Sequence, residues 1–293
     1  MQNESISSPA CKKILSKSLE ALAKRDSLKN VSFDNHPCYL HEDHRWVLPL
    51  IFEAQSLNLI PRPVTMVGFD WHRDGGDVRP SFRKKLAPKS KISFEDVVEL
   101  CEEDLAKDDG DWIKAGMELG LIGDVVVFGV DDTHIGDFQE YFDVHGKTHQ
   151  FHTLSRLSEE FAHQGSLVDH LKQPRSSRLW EILDWRVNPS SGHFVFGKSE
   201  EKILLDIDLD AFNICWNVYN FPWPSEVWEK EFQSYFVEKS VLGYNARTFF
   251  DELLERSGLV TIARESECTD GSAKANLILR KLNKYAFDGR LAL

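Results

Sequence analysis

Cysteine is scarce in this chain: Cys11, Cys38, Cys101, Cys215 and Cys268 are five among 293 residues, odd in number, widely spaced and without a CxxC pair. That pattern argues against a disulfide framework and against a thiolate zinc site, and it fits a reducing cytoplasm. Long apolar runs are lacking too, and no stretch approaches the roughly 20 residues of a membrane helix. The opening segment MQNESISSPACKKILSKSLEALAKR has no apolar core of the kind a secretory signal needs and reads as an amphipathic helix. Basic charge is in deficit, with 35 Lys and Arg against 47 Asp and Glu for a net charge of −12. Nucleic-acid phosphates demand a basic face, so that partner is disfavoured, while a cationic substrate is mildly favoured by long-range attraction. Acidity alone also keeps a protein soluble.

What is present is the composition of a globular protein, 42% hydrophobic and 11% aromatic. Strand-like runs stand at VTMVGFD (64–70), DVVVFGV (124–130), HQFHTL (149–154), KILLDID (202–208) and LVTIA (259–263). They are mostly continuous rather than alternating, as in strands buried on both faces. Helical patterns lie between them at 93–106, 155–171, 224–239, 246–258 and 271–287, the first opening on a Ser93/Asp96 capping box. Strands alternating with helices predict an α/β protein with a mainly parallel sheet in three α/β/α layers. No repeat or low-complexity linker divides the chain, so a single domain over 1–293 is expected.

Two predicted strands end in carboxylates. VTMVGF runs into Asp70-Trp71-His72-Arg73-Asp74, and KILL runs into Asp206-Ile207-Asp208-Leu209-Asp210. If the strands persist, Asp70, His72 and Asp74 share one face and Asp206 and Asp208 another, because side chains alternate along a strand. Gly75-Gly76 then breaks the first strand into a loop. Carboxylates gathered this densely repel one another, and a divalent cation removes that cost, so the two clusters read as halves of a metal site. An EF-hand is excluded, since Ala211 stands where its glycine is required. Asp210 reads as a cap of the next turn or a partner for a nearby histidine. Upstream, His41-Glu42-Asp43-His44 opens an amphipathic helix, WVLPLIFEAQSL, but its spacing is not that of HExxH zinc proteases.

These segments together carry a resemblance. "EDHRWVLP", "VGFDWHRD", "LLDIDLDAF" and "TIARESE", spread over about residues 35 to 270, resemble the arginase (ureohydrolase) superfamily. Within it, the texture is similar to an uncharacterised arginase-like branch that includes bacterial peptide arginases of ribosomal peptide maturation. The resemblance implies two Mn²⁺ ions. One would be held by His44, Asp70, Asp74 and Asp206, the other by His72 and Asp208, with Asp70 and Asp206 bridging. It further implies a hydroxide that attacks the guanidinium carbon of arginine, giving urea and ornithine. A glutamate after a late strand would hold the guanidinium, with Glu267 the first choice and Glu265 the second. For a proton-shuttling histidine His134 is the best candidate, ahead of His145, His149 and His152.

The departures from the family bear on substrate. A clamp for the free α-amino and α-carboxylate groups is not visible. In its place stands AFNICWNVYNFPWPSEVW, with Phe212, Trp216, Tyr219, Phe221, Trp223 and Trp228, which could line a peptide groove or pack in the core. The expected substrate is therefore an arginine-containing peptide. Alternatives are a small guanidine or amide, such as agmatine or an acetylated amine, or a metal-stabilised binding protein without catalysis.

Overall fold

The computed structural model describes residue 20 and residues 22 to 293, apart from 35, 90, 107–109, 131–137, 156–184, 188–193, 197–200, 217–218 and 233–245. The expected helix at 155–171, except its first residue, and the candidate His134 lie outside the described residues. The strands are β1 (Lys29–Asn30), β2 (Cys38–His41), β3 (Val64–Phe69), β4 (Ile122–Val130), β5 (Phe138–Phe142), β6 (Thr148–Ser155), β7 (Trp185–Val187), β8 (Phe194–Phe196), β9 (Ile203–Asp208), β10 (Asn213–Trp216), β11 (Tyr219–Pro222) and β12 (Ser257–Ala263). The helices are α1 (Val47–Ser56), α2 (Pro80–Leu86), α3 (Phe94–Glu103), α4 (Trp112–Glu118), α5 (Ser225–Phe232), α6 (Ala246–Arg256) and α7 (Ser272–Tyr285). The chain is thus mixed α/β around an eight-stranded sheet of order β1-β2-β12-β9-β3-β4-β6-β5. Its six inner strands run parallel, and only the edge strands β1 and β5 are antiparallel.

The alternation of each strand feeds two cores. Leu205 and Ile207 of β9, Val67 and Phe69 of β3, and Val260 and Ile262 of β12 pack against residues of α5, α6 and α7. Leu204, Met66 and Leu259 point the other way, toward residues of α1, α2, α3 and α4. By the same parity Asp206 and Asp208 belong to the second face, one residue either side of Ile207. The Ser93/Asp96 capping box opens α3, with both reciprocal bonds made.

The winding direction reverses between β3 and β9. From β3 the chain steps outward to β4 and β6, whereas β9 returns on the other side of β3 and β12 follows it toward β2. Ligands of open parallel sheets bind beyond the carboxyl ends of the strands at such a switch point. Both aspartate clusters sit there.

Two sequence expectations change here. The first cluster is not on a strand: β3 ends at Phe69, and Asp74 takes a left-handed backbone with φ of 47°. The Gly75-Gly76 turn packs so closely that a side chain at Gly75 would meet the Phe151 ring at 2.9 Å, and one at Gly76 the Gly110 carbonyl at 2.8 Å. The aromatic stretch after the second cluster is not one open loop either. It folds into the β10–β11 hairpin and α5, and Phe212, Trp223 and Trp228 are buried in the core. Phe221 alone among the described aromatic side chains of that stretch is well exposed, at 51%.

Candidate metal centre

The site is built by the carboxyl ends of four neighbouring strands. Past β2, the chain turns through a short 3-10 segment, His44–Trp46, which buries His44 completely. Past β12, the Arg264 and Glu265 N–H groups donate to the His41 and Glu42 carbonyls at 2.9 and 3.2 Å, so the β2–β12 ladder extends and brings Glu265 to the His44 turn. Glu42 fastens the same junction, accepting from the Ser266 N–H at 2.8 Å and pairing with Arg264 at 2.7 Å. Past β3, the Asp70 N–H donates to the Phe128 carbonyl at 2.9 Å, which fixes the cluster against β4. Past β9, Asp208 caps a second 3-10 turn by accepting from the Asp210 N–H at 2.9 Å.

His44 is the hub. Its Nδ1 lies 2.8 Å from Glu265 Oε1, 3.3 Å from Asp74 Oδ2 and 3.6 Å from Asp208 Oδ2. Its Nε2 faces the opposite way, 3.2 Å from Asp206 Oδ2. Trp112 of α4 stacks on the ring at 5.3 Å and donates its indole N–H to Asp74 Oδ2 at 2.7 Å. One residue thereby orients two of the clustered side chains, and nothing in the local sequence around Trp112 announced it. His72 lies at the mouth, with a half-exposed side chain whose Nδ1 is 2.9 Å from Asp210 Oδ2.

The electrostatics are those of a site short of positive charge. Burial, then the neighbouring Asp74 and Asp210, pushes the Asp70 carboxyl well above its usual range. Burial with Asp210 and Glu265 does the same to Asp208, and burial raises Asp74. Burial would lower His44, but the Asp206 and Glu265 carboxylates outweigh it and hold the imidazole well above its ordinary value. The hydrogen bond to Asp210 lifts His72 to about 9. Glu265 goes the other way: burial works against the carboxylate, yet the adjacent His44 brings it down to about 2.

A divalent cation fits this set. Candidate donor atoms within 4.8 Å of one another form four overlapping groups among the described residues. These are His44, Asp70 and Asp74; His44, Asp208 and Glu265; Asp70, His72, Asp208 and Asp210; and His72, Asp210, Glu265 and Cys268. Asp208 Oδ2 is buried with no hydrogen-bond partner, an orphan that a cation would satisfy. Two of the clustered residues, Asp74 and Glu265, hold left-handed backbones at φ of 47° and 36°. Such non-glycine conformations cost roughly 1–3 kcal/mol each and concentrate at functional sites.

Of the residues expected from sequence, His44, Asp70, His72, Asp74 and Asp208 converge. Asp206 does not join them as a bridge. It pairs with Gly68 and Thr261 inside the ladder, whereas Asp70 lies one step beyond the Phe69–Ile207 pair, level with Asp208. Asp206 accordingly accepts from Thr261 Oγ1 at 2.5 Å and faces the far nitrogen of His44. Asp210 does not cap the next turn, a part taken by Asp208; it accepts from the Trp71 N–H at 3.0 Å and meets His72. Glu265 lies in the cluster, while Glu267 is exposed and only borders a side chamber with Trp71 and Asn213. His41 is buried beside His44, its Nδ1 3.1 Å from the Asp43 carbonyl. Of the weaker shuttle candidates, His149 is closed off by the Gly123 carbonyl and Asp143, His145 is exposed on a turn, and His152 is buried on β6.

A cavity of about 600 Å³ opens over the cluster, with His72, Asp74, Gly75, Lys114, Glu265 and Cys268 in its wall. Lys114 is tied to Asp77 at 2.6 Å. Comparison of the sequence with protein-family models and with curated proteins found no match.

Proposed function

We propose that this chain is a two-metal hydrolase of the ureohydrolase type, acting on the guanidinium of an arginine residue carried by a peptide. The observation that carries the reading is the convergence of seven buried or half-buried donors, His44, Asp70, His72, Asp74, Asp208, Asp210 and Glu265, at the switch point of a parallel sheet. Imidazole and carboxylate donors suit a hard ion such as Mn²⁺. His44, Asp70 and Asp74 would hold one ion, and Asp70, His72, Asp208 and Asp210 the other. Such a pair, when bound, supplies a water acidic enough to act as a nucleophile at neutral pH.

The protein's own groups do the rest. Glu265 stands in the cavity wall with its carboxylate ionised, ready to take two parallel N–H bonds from a guanidinium and fix its carbon over the cluster. Asp206 and Trp112 hold the His44 ring from its two sides. Attack of water on the guanidinium carbon breaks the bond to the side-chain nitrogen. That nitrogen takes a proton, leaving ornithine, and urea departs. The aromatic stretch gives Phe212, Trp223 and Trp228 to the core, so the peptide form of the substrate rests on the cavity, which is larger than a lone guanidinium requires. Remote peptide contacts supply binding energy that a free amino acid lacks.

Urea release with Mn²⁺, measured on free arginine, agmatine and an arginine-containing peptide, tests the proposal. The expected result is peptide turnover, with a mass loss of roughly 42 Da per converted arginine from the chemistry of urea release. Equal efficiency on free arginine removes the peptide part, and no urea from any of the three removes the hydrolase.

A further inference from the structure

The donor group at the mouth of the site differs in kind from those inside. His72, Asp210, Glu265 and Cys268 offer one nitrogen, two oxygens and one sulfur within 4.8 Å. Cys268 is half-buried and borders both the 600 Å³ cavity and a smaller chamber of about 190 Å³ beside it. Its N–H donates to the Glu265 carbonyl at 2.8 Å, so the turn after β12 fixes thiol and carboxylate together. The smaller chamber carries an independent sign of a missing ligand. Asn213, only 2% exposed, lines it with neither amide atom hydrogen-bonded. Cys38 and Cys101, by contrast, are buried in the two cores and reach no such group.

We infer that this mouth is a second, thiophilic metal site, which takes Zn²⁺ or a similarly soft divalent ion on His72, Asp210, Glu265 and Cys268. A tetrahedral zinc set with one sulfur needs donors roughly 3.3–3.5 Å apart, from bond lengths near 2.0 Å to nitrogen and oxygen and 2.3 Å to sulfur. To reach that spacing the His72 Nδ1–Asp210 Oδ2 pair, now at 2.9 Å, opens slightly, and the wider pairs, all within 4.8 Å, draw in. Mn²⁺ and Mg²⁺ prefer all-oxygen or oxygen and imidazole sets, so the sulfur discriminates against them. Binding releases the thiol proton to solvent, since the ligand is the thiolate. Asn213 is placed to hydrogen-bond to a water or anion in the smaller chamber beside the ion. The site shares His72 and Asp210 with the inner group Asp70, His72, Asp208 and Asp210, so filling it withdraws two donors from the hydrolytic centre. The consequence for turnover, inhibition by Zn²⁺ relieved by chelation, rests on the proposed function. The binding itself does not.

Co²⁺ added to the metal-free full-length protein reads the site without catalysis. Wild type should show a sulfur-to-cobalt charge-transfer band saturating at one ion per chain, bleached by Zn²⁺ and not by Mg²⁺. Cys268→Ser and Cys268→Ala should lose the band and lose Zn²⁺ affinity by more than the roughly 10–100-fold that removing an outer partner of a metal site costs. Both variants should keep wild-type Mn²⁺ stoichiometry, which shows that they are folded. No band in wild type, or a band unchanged in both variants, would overturn the inference and leave the hydrolase reading standing. Loss of Mn²⁺ binding in both variants would also overturn it, by making Cys268 part of the inner site.

Discussion

Among the described residues, histidine is buried against aspartate both near the sheet edge and at the strand ends. Near the outer edge of the sheet, His149 of β6 is complete: Nδ1 is 3.1 Å from the Gly123 carbonyl and Nε2 is 3.2 Å from Asp143 Oδ2. Asp143 in turn accepts from the His145 and Lys147 N–H groups, and these bonds with His149 outweigh burial and hold its carboxyl below the ordinary range. At the strand ends the same residue types are left in debt. Asp70, Asp74 and Asp208 are pushed upward, and Asp208 keeps an unpartnered oxygen. A buried pair that satisfies itself is structure, and one that does not is waiting for something. The comparison therefore predicts opposite responses to the same kind of substitution.

The largest effect is on activity. Asp208→Asn should abolish urea release and metal retention while leaving the metal-free chain at least as stable as wild type, because burial and the neighbouring carboxylates already disfavour the ionised aspartate. Asp143→Ala should do the reverse, costing about 3–5 kcal/mol of stability, as breaking a buried pair does, with normal turnover per folded molecule. Metal analysis with denaturant unfolding of both variants reads the pair. Equal destabilisation by both would erase the distinction.

Smaller, and specific to the cluster, is a pH effect. In the folded metal-free chain Asp70 and Asp208 titrate above 3.8, and His44 and His72 above 6.5, the latter at about 9. Each of these groups holds its proton longer in the folded state. Their contribution to stability therefore falls as pH rises, above about 4 for the carboxyls and from about 6.5 to about 9 for His72. His41, lowered by burial and His44, works in the opposite sense below about pH 6.5. Glu265, near 2, acts in the opposite sense only below about pH 4.5, between its folded and ordinary values. Mn²⁺ should reverse the slope, since it binds the deprotonated donors. Thermal melts across pH with and without the metal check this, and a flat metal-free profile would contradict it.

Next comes the division between the two glutamates. Glu265→Gln should lower kcat/KM by about 1.5–3 kcal/mol, the worth of a charge-assisted hydrogen bond. Glu267→Gln, on an exposed side chain, should stay within about 0.5 kcal/mol. Trp112→Phe keeps the stack on His44 but removes the bond to Asp74, and should weaken Mn²⁺ binding by roughly tenfold.

Much of this was legible from the chain alone. Five of the six inner strands show as runs rich in Val, Ile, Leu and Phe because both their faces are buried, while the four-residue β2 is too short to show, and the Ser93/Asp96 box marks the start of α3. The short edge strands, the β10–β11 hairpin and helices α2 and α4 carry too little pattern to announce themselves. Most of the residues singled out from the sequence come together at the strand ends, and where the geometry differs from the expected set the cause is register. Sequence spacing gives the face of a strand, not its register against the neighbours. That register sets Asp206 one pleat below Asp70, brings Asp210 up to His72, and lets the β2–β12 ladder run on to deliver Glu265 rather than Glu267. Trp112 comes from a distant segment that only the fold places at the site, while Asn213, three residues past Asp210, carries no local signal that it lines the chamber.

The central claim is that the strand-end cluster is a two-ion centre. Anomalous scattering at the manganese edge, from crystals of the protein grown with Mn²⁺, tests it most directly. Two peaks roughly 3.5–4 Å apart are expected, as in two-metal hydrolytic sites, one beside His44, Asp70 and Asp74 and the other beside His72, Asp208 and Asp210. A map with no peak at the cluster, or with a single ion bridged by Asp206, would contradict it.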